Sequence, residues 1–528
     1  MKQLDLQRFL FEKPASRLEL LKYKPQTQGK AFKVLVYRNH SFELIEHTIG
    51  AYLDYAGVRA EFEYSDYDDS LSFINVDPQA DLMIVWLDVS RYNALDPEKF
   101  INERLAHLKT RFQKPVLFVG VGRKAVVAKE NAFTLDVSVV QAVLGDRFYD
   151  ERMETLSGTR LSNTACLALS RELGLNYLPS LLLPNLKAVF VDLDNTLYGG
   201  VLGEDGIQNL KLTPGHIRLQ NRLKALAEQG YFLCAVSKNE QPDAEKLFEE
   251  RTDFPLQKSD FTKISASWNS KPQMMAELLS FLNINEDSVL FVDDNIGEVS
   301  AVQAAYPAMK LLLAGEKAEL TAQILENYPR LNKLAVNRED ALRAQDARAN
   351  EERRKAQAAL SPEEYIKNLQ MELTLSFDDL ARAPRVAELA GKTNQFIFSY
   401  KRYPLARVEE MMKDPAYCVL TLALKDKLSD SGIIGVLVLK KEAGFARLEE
   451  CFVSCRALGR GIDRLMLFYA LQQALERLGE SRLQTDFTRG ERNLPAYNFV
   501  QEYLQPFLNA PAPFSYAAPR GLVTFKFN

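Results

Sequence analysis

The chain has 528 residues, 47% of them apolar, and a formal net charge of −4. That length predicts about three domains, with apolar residues enough for sizeable cores. The mild acidity argues against a nucleic-acid partner, and no apolar run of about 18 residues or more occurs, so no membrane-spanning helix is expected.

The first residues, MKQLDLQRFLFEK, mix an early acid with apolar positions, unlike a secretory signal. Residues 1–30 read as a helical or extended lead-in. The five cysteines, Cys166, Cys234, Cys418, Cys451 and Cys455, are odd in number and scattered. With no His near Cys451 and Cys455, free thiols in a reducing cytosol are the simplest reading, and a cytoplasmic location is expected.

Residues 31–182 alternate strand and helix patterns. Phe32–Tyr37, Glu61–Tyr64, Leu82–Leu87 and Val116–Val121 read as strands and Phe42–Ala56 as a helix. Such alternation predicts a parallel sheet flanked by helices. Ser41, His40 and Asp88 could form a catalytic set; scaffold or partner docking is the other reading.

Residues 183–330 carry the chemistry. The apolar run Ala188–Val191 delivers Asp192 and Asp194, followed by Thr196 and the pair Gly199-Gly200. Alternation along a strand would put both acids on one face if the strand ran on. Two acids at a strand's carboxyl end suit a hard divalent cation, Mg2+ favoured, or a nucleophile with a general acid/base. A DxD pair alone is also what a solvated turn looks like. The next apolar strand, Phe232–Val236, ends in Ser237-Lys238-Asn239. Trp268-Asn-Ser-Lys271-Pro272 opens a helix, and the strand Val289–Val292 ends in Asp293-Asp294-Asn295. A carboxylate nucleophile, a hydroxyl and a lysine for phosphate oxygens, and further acids for a metal are what phosphoryl chemistry requires. No insertion of domain size separates these motifs, so no large cap is expected and the site is open to a large or protein-bound substrate.

Residues 331–370, rich in Arg, Glu, Ala and Gln, predict a long exposed helix with opposite charges at i,i+4. Ser361-Pro-Glu-Glu364 reads as the start of the next helix. Residues 371–528 form a second α/β pattern, with strands Ile433–Lys440 and Arg447–Val453, then Arg456-Ala-Leu-Gly459-Arg460-Gly461 and a helix from Ile462 to about Leu478.

The four ordered motifs of residues 192–295 resemble those of the haloacid-dehalogenase (HAD) superfamily: DxDxT, a Ser/Thr after a strand, a Lys, and DD. The stretch Asp192–Gly206 (DLDNTLYGGVLGEDG) resembles the FkbH-like branch, with Tyr198 where that family usually has Trp. Gly391–Phe396 (GKTNQF) and Lys401-Arg402-Tyr403 match further family signatures. The resemblance extends over nearly the whole chain. It implies an α/β multidomain protein: a lead-in over residues 1–30, a degenerate SGNH-hydrolase-like domain over 31–182 that lacks a GDS-like turn, and a HAD-like Rossmannoid core without a large cap over 183–330. A charged helical connector over 331–370 and a GNAT-like domain over 371–528 follow.

By the same resemblance, Asp192 is the nucleophile that forms an aspartyl-phosphate, and Asp194 is the general acid/base. Ser237 and Lys271 hold phosphoryl oxygens. Mg2+ is held by Asp192, by Asp194 through its backbone carbonyl, and by Asp293. Residues 199–213 resemble the flap after the first motif. Thr196, Lys238, Asn239, Asp294 and Asn295 orient the site or the substrate. In the GNAT-like domain Arg456, Gly459, Arg460, Gly461 and Asn493 would cradle CoA or phosphopantetheine, amides of a glycine-rich turn at a helix N-terminus being suited to a pyrophosphate.

FkbH-like proteins include enzymes that dephosphorylate a phosphorylated three-carbon acid and load a glyceryl group onto an acyl carrier protein. Those tend to carry a cysteine between the first two aspartates, where this chain has Leu193. Two classes of function follow. One is a Mg2+-dependent phosphoryl hydrolase or transferase acting on a phosphorylated small molecule in polyketide, peptide or surface-polysaccharide biosynthesis. The other is a glyceryl/acyl transferase to a carrier protein, or a carrier- or CoA-binding assembly module with the HAD site secondary.

Overall fold

Three β-sheets, one after another along the chain, organise the computed structural model. It describes all residues except 1, 14, 93–95, 335–348, 350–351, 354–355, 358, 394, 455–456, 459–462, 491–492, 509–513, 517–522 and 528.

The first sheet has strands β1 (Phe32–Arg38), β2 (Ala60–Tyr64), β3 (Leu82–Asp88), β4 (Val116–Val121) and β5 (Phe133–Leu135), all parallel in the order 2-1-3-4-5. The central strand β3 (LMIVWLD) is buried at all seven positions, as expected where helices cover both faces. Only β5, three residues at the edge, has no counterpart among the strands predicted for this region.

Ser41, His40 and Asp88 do not form a catalytic set. His40 is buried, pairs through Nδ1 with Thr159 Oγ1 at 2.9 Å and stacks on Trp86. Ser41 Oγ donates to Glu43 at 2.6 Å, and Asp88 is paired with Arg160 at 2.9 Å.

The second sheet is also wholly parallel. Its strands β6 (Ala188–Val191), β7 (Phe232–Ser237), β8 (Lys263–Ala266), β9 (Val289–Asp293) and β10 (Lys310–Leu313) lie in the order 10-9-6-7-8. From β6 the chain winds outward to β7 and β8, then crosses back to β9 on the other side. The switch point, the place where open α/β sheets bind ligands at the carboxyl ends of their strands, lies between β6 and β9. Every connection in this sheet is a helix or a short flap.

The first residues are more than a lead-in. The Lys2–Gln7 helix, the helical segment Arg8–Glu12 that continues it and the Arg17–Lys22 helix bury Leu6, Leu10, Phe11 and Leu20 in one cluster with Tyr52 and Tyr55 of the first unit and Val189, Val191 and Tyr328 of the second. The Gln7 amide closes the free edge of β10 (Nε2 to Leu313 O, 2.8 Å; Leu313 N to Oε1, 3.2 Å).

Most of residues 331–351 lie outside the described residues. Within the predicted exposed connector, Arg353 is instead buried, in an ion pair with Asp426 at 2.8 Å, so this part packs on the last unit. The Pro362–Leu369 helix starts at Ser361, whose hydroxyl and Glu364 form a capping box.

The third sheet is mixed: β11 (Glu372–Phe377), β12 (Tyr417–Lys425), β13 (Asp430–Glu442), β14 (Phe445–Val453), β15 (Leu483–Thr485) and β16 (Thr524–Phe527), in the order 15-14-13-12-11-16. The Asp463–Leu478 helix packs its buried Leu467, Leu471 and Leu475 into the same core. Arg456, Gly459, Arg460 and Gly461 lie outside the described residues. Among the described residues no helix is long and apolar enough to cross a membrane.

Candidate active site

The apolar run Ala188–Val191 is buried at every position and ends at Asp192, whose N–H still donates to Val292 O at 2.9 Å. There the chain leaves the sheet. Asn195 adopts φ 53°, and its side chain accepts from Gly200 N at 3.0 Å, closing a tight loop. Gly200 sits at φ 114°, where a Cβ would meet Asp205 Oδ2 at 2.8 Å, so only glycine fits. Leu202–Asp205 then forms one short helical turn, and Gly199 bridges to Lys211. This excursion covers the residues that resemble a flap, and the Pro214–Glu228 helix follows it.

Asp293 is the last residue of β9, beside β6, and is fully buried. Lys271 begins the Lys271–Leu282 helix behind a Ser270/Gln273 capping box and is 3% exposed. Its ammonium donates to Asp192 Oδ1 at 2.6 Å and also to Asp293 Oδ2. Oxygens of Asp192, Asp293 and Asp294 come within 4.8 Å of one another, Asp294 being the most exposed of the three.

The electrostatics follow from this enclosure. Burial pushes the Asp192 carboxyl up to about 7; Lys271 opposes the rise and Asp293 adds to it. Burial also raises Asp293, against the pull of Lys271, and raises Asp294 together with the charge of Asp293. Burial works against the Lys271 charge, but the two carboxylates outweigh it and hold the ammonium above its ordinary value. Three carboxylates beside one ammonium leave excess negative charge at a largely buried site, which a proton or a cation must offset. The donors are hard oxygens, the kind Mg2+ takes, so the residues fit that ion.

The Asp194 carboxylate lies outside this cluster. Its Oδ1 accepts from Tyr198 Oη at 2.7 Å and Leu202 N at 2.9 Å, and its Oδ2 from Asn239 Nδ2 at 2.9 Å. The same amide donates to Ser237 Oγ at 2.9 Å, and Ser237 is buried at the end of β7. Hydrogen bonds thus form two sets: Lys271 joins Asp192 to Asp293, and Asn239 joins Asp194 to Ser237.

Of the remaining predicted residues, Thr196, Lys238 and Asn295 lie on the segments that carry this centre, and Asn493 lies in the last unit. Thr196 Oγ1 is buried without a hydrogen-bond partner among the described residues. Lys238 is paired with Glu298. Asn295 caps the Ile296–Ala305 helix through Gly297 N at 2.8 Å. Asn493 is far along the chain, buried, with its amide spent on Ile397 O, Thr488 O and Gly490 N.

Tyr198 was not among the predicted site residues. Its signal in the sequence was a lone phenol in an otherwise apolar stretch four positions after an acid. Cys234, on β7, is fully buried and its thiol is pushed up to about 12 by burial, which makes it a poor nucleophile.

No family model matches the chain, and no curated protein matches it. Among solved structures, the chain is similar to the N-terminal part of a Bacteroides fragilis protein containing a phosphatase domain complexed with Mg. The identity is 17%, covering 63% of this chain and 99% of that one, with a TM-score of 0.46. It is also similar to a HAD family enzyme from Bacteroides thetaiotaomicron, an Asp-to-Ala mutant in complex with magnesium and inorganic phosphate (13% identity, 25% and 95% coverage, TM-score 0.18). A ribosomal-protein-alanine N-acetyltransferase from Brucella melitensis matches at 16% identity over 28% of this chain and 99% of that one, with a TM-score of 0.20.

Proposed function

We propose that the chain is a Mg2+-dependent phosphoryl hydrolase or transferase of HAD type that acts on a phosphorylated small molecule. The observation that carries this reading is the buried contact of Lys271 with both Asp192 and Asp293 at the switch point of a doubly wound sheet. A Mg2+ ion held by Asp192, by Asp293 and, as the resemblance implies, by the Asp194 backbone carbonyl, with Asp294 close by, would supply positive charge beside the phosphoryl oxygens.

In the reaction, an Asp192 oxygen attacks phosphorus and the bond to the leaving oxygen breaks. Asp194 gives that oxygen its proton. Asp194 then takes a proton from water, the water oxygen attacks phosphorus, and the Asp192–phosphorus bond breaks to release phosphate. Ser237 and Lys271 hold phosphoryl oxygens and offset the repulsion between nucleophile and substrate.

Following the FkbH-like resemblance, the biosynthetic setting is that of a polyketide, peptide or surface polysaccharide, with an acyl carrier protein as a partner. Leu193 and the buried Cys234 favour phosphate release over a thioester held at this site. The first unit is read as an SGNH-like scaffold, since Ser41, His40 and Asp88 are bonded elsewhere. The last unit is read as a GNAT-like domain for CoA or phosphopantetheine, on the strength of Arg456–Gly461 in the sequence.

The test is phosphate release from aryl phosphates with Mg2+ present. Turnover is expected in the wild type and absent in Asp192→Asn. Retained turnover in the purified variant would falsify the nucleophile assignment.

A further inference from the structure

Asp194 is held asymmetrically. Tyr198 Oη and Leu202 N both donate to Oδ1, while among the described residues Oδ2 meets only Asn239 Nδ2. That amide also donates to Ser237 Oγ, so Oδ2 is the oxygen on the side of the phosphate-holding hydroxyl. A carboxylic oxygen can carry a proton on one lone pair and accept from an amide on the other, so the Asn239 contact leaves Oδ2 able to act.

Tyr198 is rigid. Its side chain is fully buried and stacked on Phe254 at 5.9 Å between ring centroids. Turning the Asp194 carboxylate away would strand the phenol O–H in an apolar setting, which is costly. The second donor, Leu202 N, belongs to the flap, whose turn is fixed by Asp205 Oδ2 accepting from Val201 N at 2.8 Å.

We propose that Tyr198 is a positioning residue that pins Asp194 Oδ1, making Oδ2 the atom that protonates the leaving oxygen and later takes the proton of the attacking water. The inference rests on the phosphatase reading above and adds to it the part of the chain that aims the acid. A general acid must lie within hydrogen-bond reach of the leaving atom, and a small misplacement lowers the rate steeply. Its help matters most for a basic leaving group and little for one that departs as a stable anion.

The experiment measures kcat/KM for p-nitrophenyl phosphate and for phenyl phosphate, with Mg2+ in excess, in wild type, Tyr198→Phe and Asp194→Asn. Tyr198→Phe is expected to lower kcat/KM for phenyl phosphate by about tenfold or more, and for p-nitrophenyl phosphate by less than about threefold. A loss of folded protein lowers both equally, so the ratio reports positioning alone. Equal losses on both compounds, or none, overturn the role of Tyr198 so long as Asp194→Asn shows the selective loss. If Asp194→Asn shows no selectivity, it is the reading of Asp194 as the acid that fails, and this inference with it. A wild type that hydrolyses neither compound overturns the phosphatase reading and this inference together.

Discussion

The Lys271 ammonium lies 2.6 Å from Asp192 Oδ1 and hydrogen-bonds Asp293 with the same nitrogen, so one buried cation ties the ends of β6 and β9 together. Removing one partner of a buried pair leaves uncompensated charge. Lys271→Met is expected to destabilise the metal-free chain by about 3–5 kcal/mol. Added Mg2+ should restore part of that stability, because a dication offsets the same two carboxylates. Denaturant unfolding with chelator and with Mg2+ measures both effects; an unchanged midpoint in chelator would show that the contact is not formed in solution.

Asp293 is fully buried and its oxygen belongs to the carboxylate cluster. Asp293→Ala should therefore weaken Mg2+ binding by more than about tenfold and abolish Mg2+-dependent turnover. Calorimetric titration with Mg2+ checks this. A titration curve identical to that of the wild type would place the ion elsewhere.

His40 supplies a pH dependence separate from the site. Burial, with Arg91, Arg160 and Arg38 nearby, lowers its protonation to about 3 from the ordinary 6.5. Between those values the unfolded chain binds the proton and the folded one does not, so folding is favoured above about pH 6.5 and loses stability as the pH falls toward 3. At pH 5 this amounts to about 2 kcal/mol. His40→Gln should flatten the fall in unfolding free energy between pH 7 and 5 relative to the wild type. Parallel curves for the two proteins would mean that His40 is protonated in the folded state.

Gln7 joins the first helix to the edge of the second sheet through two hydrogen bonds to Leu313. Gln7→Ala leaves those backbone groups unpaired at a nearly closed site and should cost about 1–3 kcal/mol. Urea unfolding of the full chain gives the value. A change under about 0.5 kcal/mol, the usual range for a surface substitution, would show that the strap does not hold the edge.

Much of the second unit was legible in the residues. Buried parallel strands are short apolar runs that end where polar residues begin, so Ala188–Val191 and Val289–Val292 announced both the sheet and the acids Asp192 and Asp293 at its carboxyl ends. Ser237 and Lys271 followed from the same logic. The short strands β5, β8 and β15 were not legible. Three residues, or the four of β8 with Lys263 and Ser265 among them, lack the continuous apolar run that marked Ala188–Val191, and what makes them strands is a neighbour's unpaired edge. The pairing of β11 with β16 joins residues 372–375 to 524–527, and no local pattern encodes such a distance.

The sequence by itself determined which acids, hydroxyl and lysine gather at the strand ends, because the apolar runs that must be buried leave those polar residues nowhere else to go. Only the tertiary structure decided which way each one points. Alternation would have aimed Asp192 and Asp194 at the same face, but β6 stops at Val191 and Asn195 turns into the left-handed region at φ 53°. That turn sends Asp194 to Tyr198 and Leu202 and leaves Asp294 beside Asp192 and Asp293. A side chain's direction in a loop is set by the donors that other segments bring to it, and those arrive only when the chain has folded.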